Sequence, residues 1–339
     1  MPRNDASPEI MDAASPAAID RARDLILSGE LVAIPTETVY GLAADATNDR
    51  AVARIYEVKG RPSFNPLIVH VSDIEMARLY ADLPPLAEKI AADFWPGPLT
   101  IVAPRKKDCG VSLLASAGLD TIALRAPYSR AAQALIRACG RPLAAPSANR
   151  SGSISPTTAD HVRESLGERV RLIIDGGPCR VGVESTIIRI SGDHAILLRP
   201  GGVARADVER AIGLRLESPE QGKVEAPGML ESHYAPDAPL RLNVEAPSSN
   251  EAYLGFGAFT GAGAGAAFNL SESGDLAEAA ANLFAGLRAA DRAASSTGLA
   301  GIAVAPVPMD GLGEAINDRL RRAAAPKPDD NVSGGPRYR

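Results

Sequence analysis

The sequence predicts an α/β protein of two units, a larger mixed, twisted sheet with flanking helices and a smaller α/β unit behind it. Three observations predict this. The chain has 339 residues, more than one core comfortably holds. Short apolar runs alternate with stretches of helical period as far as residue 204. Beyond Val203 the texture turns polar and Pro- and Gly-containing, and the alternation resumes near residue 240.

Residues 1–14 read as a loose tail. Ser15 is placed to cap a helix and Pro16 suits its first turn; Ala18, Ile19, Ala22, Leu25 and Ile26 then recur at helical spacing until Gly29. Residues 31–35 (LVAIP) predict a short buried strand. A second helix fits 49–58, with Val52, Ile55 and Tyr56 on one face and Gly60 beyond its end, and a strand fits 67–71. Helices are predicted at 85–93, 129–138 and 157–165, and strands at 99–103, 121–125, 143–146, 170–174, 185–190 and 195–199. The last two strands leave no room for a helix between them, so the sheet is expected to be mixed rather than parallel. These elements make a first domain over 15–204.

Residues 205–239 hold one helix, 205–212, and then a polar stretch that reads as a linker. Strands at 240–244, 252–257, 266–270 and 301–307, with helices at 275–294 and 312–324, predict a Rossmann-like second domain over 240–325. Its GAGAGAA run (261–267) reads as a small-residue turn, not a dinucleotide loop. The tail from Pro326 is expected to be disordered.

Lys and Arg number 36 and Asp and Glu 41, a net charge of −5, so a surface devoted to nucleic-acid phosphate is not expected. Cys109, Cys139 and Cys179 are odd in number and far apart, which argues against a disulfide framework. His70, His161, His194 and His233 are equally scattered, and no metal site is predicted. No apolar run reaches membrane-spanning length, and a cytoplasmic, membrane-free protein is expected.

Four polar clusters fall at strand ends or loops. PTETVYGLAAD (35–45) follows a strand, where α/β sheets open their ligand crevices; it also fits a capped turn with Thr36 or Thr38 as N-cap and Glu37 behind it. KGRPSFNPL (59–67) sets Lys59 and Arg61 on a loop stiffened by Pro62 and Pro66, a pairing that invites an anion or serves a helix end. RAPYS (125–129) and APSANRSGSISPTT (145–158) put Arg125, Ser147 and Asn149 at strand ends. DGGPCRVGVESTII (175–188) and LLRPG (197–201) add Ser185, Thr186 and Arg199.

Taken together, PTETVYGL, KGRPSFNPLIVHV, FWPGPLT, TIALRAP, PSANRSGSISPT, GVESTII and LLRPGGV resemble the threonylcarbamoyl-AMP synthase family, whose shared module is the YrdC-like domain. They span about residues 17–204, and APGMLESHYAP (226–236) with the second unit resembles the long, two-domain form. The resemblance implies an ATP-using nucleotidyltransferase that joins L-threonine, bicarbonate or carbon dioxide, and ATP into threonylcarbamoyl-AMP and pyrophosphate. A separate transferase machinery then modifies tRNA. It implies that Thr38, His70, Arg125, Ala145 (through its backbone) and Ser185 hold threonine. Arg61, Asn65, Thr121, Ser147, Ser155, Arg199 and Tyr234 would hold ATP, with Mg2+ on its phosphates. Lys59 and Asn149 would face the phosphates or the carbamate, so that Lys59, Arg61, Ser147 and Asn149 form the catalytic set. If Tyr234 touches ATP, the linker must fold back over the pocket as a lid. Two rivals are a double-stranded-RNA-binding module without catalysis and a related enzyme that uses carbamoyl phosphate.

Overall fold

The computed structural model describes residues 7–220, 225–229, 232–258 and 261–326. The disorder expected beyond Pro326 lies almost wholly outside them, as do residues 1–6. The first unit runs β1 (Glu9–Asp12), α1 (Pro16–Leu27), β2 (Val32–Ile34), β3 (Gly41–Asp45), α2 (Asp49–Lys59), β4 (Ile68–His70), α3 (Ile74–Ala77), α4 (Pro85–Phe94) and β5 (Leu99–Pro104). It continues with β6 (Thr121–Arg125), α5 (Arg130–Cys139), β7 (Leu143–Ala144), α6 (Ala159–Leu166), β8 (Leu172–Asp175), β9 (Thr186–Ser191), β10 (His194–Arg199) and α7 (Arg205–Ile212). The second unit comprises β11 (Leu240–Arg241), β12 (Glu251–Gly255), β13 (Ala266–Asn269), α8 (Leu276–Thr297), β14 (Gly301–Val304) and α9 (Gly313–Ala324).

The large sheet has the order β1-β8-β2-β3-β7-β4-β6-β5-β9-β10 and is mixed, as expected. β4 and β6 run parallel, with His70 opposite Arg125. Successive residues face opposite sides of a strand. Val32, Ile34, Leu172 and Ile174 therefore pack under Ala22, Leu25 and Ile26 of α1 and Leu135 and Ile136 of α5. Ala33 and Ile173 face the other core, which takes Val52 and Ile55 of α2, Ile90 of α4 and Val162 of α6. α2 is fixed at both ends: the Asn48 side chain accepts from the backbone of Arg50 and Ala51, and Gly60 closes it at φ 60°. That cap aims Lys59 and Arg61 inward.

The structure differs from the expectation in three places besides the one-turn helix α3, which was not predicted. Glu9–Asp12 are not loose: they pair in parallel with β8 as an edge strand. Four residues with one apolar pair carry too short a signal to read. Gly41–Asp45 form a buried strand between β2 and β7, so the polar cluster before it is a strand-to-strand turn, not a helix cap. GLAAD lacks both alternation and β-branched residues, because both of its faces are covered. The first core also runs past the expected boundary at 204, since Val208, Ile212 and Leu216 are buried in it.

The small sheet, β11-β14-β12-β13, is wholly parallel, in keeping with a Rossmann-like unit. Its helix α8 packs against the first unit. Val39, Ile154 and Val183 share a core with Leu283, Phe284 and Leu287, each worth roughly 1.5–3 kcal/mol when fully buried. A Cβ on Gly182, which has φ 73°, would lie 2.3 Å from the Ala281 Cα, so only glycine admits this approach. The Arg288 guanidinium donates to the Ile154 carbonyl at 2.5 Å, and Arg205 pairs with Glu314 at 2.8 Å.

Candidate active site

Between the ends of β2, β4, β6, β7 and β9 lies a small cavity of about 50 Å³. The loop after β7 forms one wall, because the Leu42 amide donates to the Pro146 carbonyl and the Ala148 amide to that of Tyr40. Ala145 and Ser147 thereby face the cavity. At one end stands Arg125. Its Nη1 donates to Thr38 Oγ1 at 3.0 Å and its Nε to the Gly97 carbonyl at 3.1 Å. Its Nη2 lies 2.8 Å from Glu37 Oε1, but the two are too poorly aligned to share a hydrogen bond. His70 stands beside Arg125 with its Nδ1 buried and unpartnered. Burial, and then the Arg125 charge, push the His70 imidazole down to about 3, so it is a neutral group at any working pH. Ser185 shares a hydrogen bond of 2.7 Å with Thr100.

The other end gathers cations. Lys59 Nζ donates to the Ser147 carbonyl at 2.5 Å and to that of Asn149. Arg61 is held by Asn65, through its backbone oxygen at 3.1 Å and its Oδ1 at 2.7 Å, and by the Pro66 carbonyl at 2.7 Å. Arg199 Nη2 donates to the Ser185 carbonyl at 2.8 Å and its Nη1 to that of Pro227 at 3.1 Å. Among the described residues none of these three forms an ion pair. Burial, with Arg61 adding to it, lowers Lys59 well below its ordinary value, and burial lowers Arg61 to about 10. Arg199 Nη2 also donates to Ser185 Oγ at 3.2 Å, so all three buried cations rest on neutral oxygens, an arrangement that favours an anion.

The linker closes the cavity. Pro227, Gly228, His233 and Tyr234 line it. Tyr234 is buried at φ 64°, and the Ala235 amide after it donates to the Gly152 carbonyl at 2.8 Å. A Cβ on Gly228 (φ 82°) would stand 3.0 Å from both Arg199 and the Tyr234 hydroxyl, so this turn needs glycine.

Thr38, Arg61, His70, Arg125, Ala145, Ser147, Ser185, Arg199 and Tyr234 therefore meet at one cavity. Lys59, Asn65 and Ser155 stand directly behind it, through Ser147, Arg61 and Glu184 respectively. Asn149 also lies behind the wall; its Nδ2 donates to the Arg150 and Ser153 carbonyls. Thr121 is set apart. It starts β6, four residues from Arg125, or about 13 Å along the strand. The parallel register puts it at the Asn65 end of β4, outside the cavity lining. Sequence reading missed Glu37 as the partner of Arg125, and it missed Glu184 and Arg319. Glu184 sits inside the GVESTII motif and was open to suspicion as a buried acid. Arg319 comes from the second unit and has no motif around it. A larger open groove of about 1490 Å³ adjoins at Thr36 and Glu37, but the cations Lys59, Arg61 and Arg199 do not line it.

The histidines give a test of this burial. His161 is pushed down to about 4, by burial first and then by Arg288 and Arg292. An unfolded histidine titrates near 6.5, so below that pH the unfolded chain binds protons that the folded chain refuses. Stability is fully present above pH 6.5 and is lost as pH falls toward 4. At pH 5 the fully buried His70 costs roughly 2 kcal/mol, and the less enclosed His161 adds in the same direction. The urea midpoint should drop between pH 7 and 5, and less so in His70→Gln; a midpoint flat over that range would contradict the burial.

Comparison with known proteins finds relatives over both units. The family model described as "Telomere recombination" matches residues 24–201, and that described as "Threonylcarbamoyl-AMP synthase, C-terminal domain" matches residues 203–325. A threonylcarbamoyl-AMP synthase of Pyrococcus abyssi is 42% identical over 327 residues, 89% of this chain and 93% of that protein. One of Bacillus subtilis is 48% identical over 229 residues, 66% of each chain. The crystal structure of P. abyssi Sua5 complexed with L-threonine matches with a TM-score of 0.84 at 39% identity, over 93% of this chain and 97% of that one.

Proposed function

The chain belongs to the threonylcarbamoyl-AMP synthase family, and from that premise we propose how its cavity performs the reaction. L-Threonine, bicarbonate or carbon dioxide, and ATP become threonylcarbamoyl-AMP and pyrophosphate. One observation carries the assignment of the two ends: Lys59, Arg61 and Arg199 are buried on neutral oxygens with no ion pair among the described residues, while Arg125, beside Glu37, stands with the Thr38 hydroxyl and His70.

Arg125 receives the threonine carboxylate, with Thr38, Ser185, neutral His70 and the Ala145 backbone around the rest of the amino acid. The amine, once neutral, attacks carbon dioxide and loses a proton. The resulting carbamate oxygen then attacks the α-phosphorus as pyrophosphate leaves. Both partners are anions, so Lys59, Arg61 and Arg199, with Ser147, Ser155 and Asn149, offset their repulsion and the charge that grows on the leaving group. Asn65 fixes Arg61. Thr121 would touch only the far end of an extended nucleotide. No side-chain nucleophile is needed; positioning and electrostatics do the catalysis.

Mg2+ does not fit as a resident of the protein. The described residues contain no group of three or more His, Cys, Asp or Glu able to hold a metal, and Glu184 is committed to Ser155 and Arg319. We propose that Mg2+ arrives on the triphosphate, as part of the substrate. The cavity, about 50 Å³, is far below the roughly 300 Å³ at which small-molecule sites begin, so the linker must withdraw to admit ATP. Saturating threonine and ATP should then change protease cleavage across residues 205–239; an unchanged pattern would count against a lid.

Duplex RNA cannot reach cations this deeply buried, which disfavours the RNA-binding rival. Among the described residues no helix is long and apolar enough to cross a membrane. A cytoplasmic setting is proposed on the three cysteines, odd in number and far apart in the sequence, which offer no disulfide framework. The product is proposed to pass to a separate transferase machinery that acts on tRNA. Pyrophosphate release from ATP, with threonine and bicarbonate each withheld in turn, tests the whole reading. Release is expected to need both, and release indifferent to both would overturn it.

A further inference from the structure

A charged side chain of the second domain reaches the cavity wall. Arg319 of α9 is fully buried, with 0% of its surface exposed. Its Nε donates to Glu184 Oε2 at 2.8 Å and its Nη1 to Asp318 Oδ2 at 2.6 Å. The guanidinium carbon stands 5.3 Å from the centre of the Tyr234 ring. The other oxygen of Glu184 accepts the Ser155 hydroxyl at 2.6 Å. Arg319 thus touches two groups at the cavity's anion end, Tyr234 directly and Ser155 through Glu184.

Glu184 poses a problem that Arg319 answers. It is a buried carboxylate lining a cavity that collects cations for a polyanion. Unpaired, it would repel a triphosphate in a medium where charges are weakly screened. Paired, its charge is cancelled, and its second oxygen is free to direct Ser155.

We propose that Arg319 is a positioning residue of the adenylation reaction, by which the second domain neutralises Glu184 and so keeps Ser155 directed at the ATP phosphates. This rests on reading the cavity as the ATP site. It gives the second domain a part in catalysis: a first domain alone would carry an exposed, unpaired Glu184 beside its phosphate groups.

The test uses the full chain and calorimetric titration of ATP, with threonine present and bicarbonate withheld, and of threonine alone. Arg319→Gln is expected to weaken ATP binding about tenfold or more and to leave threonine binding within about twofold. Adding Glu184→Gln to that variant is expected to recover most of the loss, because the stranded charge is gone. Unchanged ATP binding in Arg319→Gln, or failure of Glu184→Gln to recover it, overturns the inference. If Arg319→Gln does not fold, the double variant is compared with Glu184→Gln alone: equal ATP affinity supports the inference, and a further tenfold loss overturns it. If the unaltered protein binds no ATP, it is the ATP-site reading that fails.

Discussion

Replacing Lys59 by alanine is expected to slow pyrophosphate release about a thousandfold or more while the sheet stays folded. The ammonium donates to the carbonyls of Ser147 and Asn149, so it fixes the loop that carries both side chains. It is buried and sits beside Arg61, and burial, with that repulsion added, lowers its affinity for its own proton. An arriving triphosphate relieves both penalties, so the lysine's charge is best used when the phosphates are present. A buried charge that loses its partner costs about 3–5 kcal/mol, and a thousandfold loss in rate corresponds to about 4 kcal/mol. Lys59→Arg should recover little, because a planar five-donor fork does not fit a point charge between two carbonyls. Circular dichroism and melting report the fold. Lys59→Ala retaining activity within tenfold of the unaltered protein would remove Lys59 from the catalytic set.

What the sequence revealed depended on distance along the chain. His70 and Arg125 each end an apolar run, and each could be read as a polar group at a strand end. That they are neighbours follows from the β4–β6 pairing, which no local pattern encodes. Lys59 and Arg61 were legible because Gly60 marks the helix end between them. The contact of Glu184 with Arg319 was not: they are 135 residues apart and meet where the second unit packs on the first, α9 supplying Arg319. The linker's return over the cavity was anticipated only through Tyr234; its own composition says loop and nothing more. The strands that escaped notice, β1 and β3, are respectively an exposed edge and a run of small residues. In both, pairing with a neighbouring strand supplies what the side chains do not signal.

Replacing Arg125 by glutamine is expected to lower threonine affinity about a hundredfold or more and to leave ATP binding nearly unchanged. Two charge-assisted hydrogen bonds to a carboxylate, at about 1.5–3 kcal/mol each, cover that loss. The same change also strands Glu37, whose two oxygens have no hydrogen-bond partner and whose close cation is Arg125 among the described residues. Arg125→Gln should therefore lose stability as well as affinity, and the two losses must be separated. Glu37→Gln in the Arg125→Gln background removes the stranded charge, so it should restore much of the melting temperature and none of the threonine binding. Glu37→Gln alone makes the sharper comparison. In the unaltered protein Glu37 competes, in poor alignment, for the guanidinium that the substrate carboxylate needs. Removing that competitor should leave threonine binding as tight or tighter. If Arg125→Gln binds threonine as the unaltered protein does, the amino acid lies elsewhere, and the division of the cavity into an amino-acid end and a phosphate end falls with it.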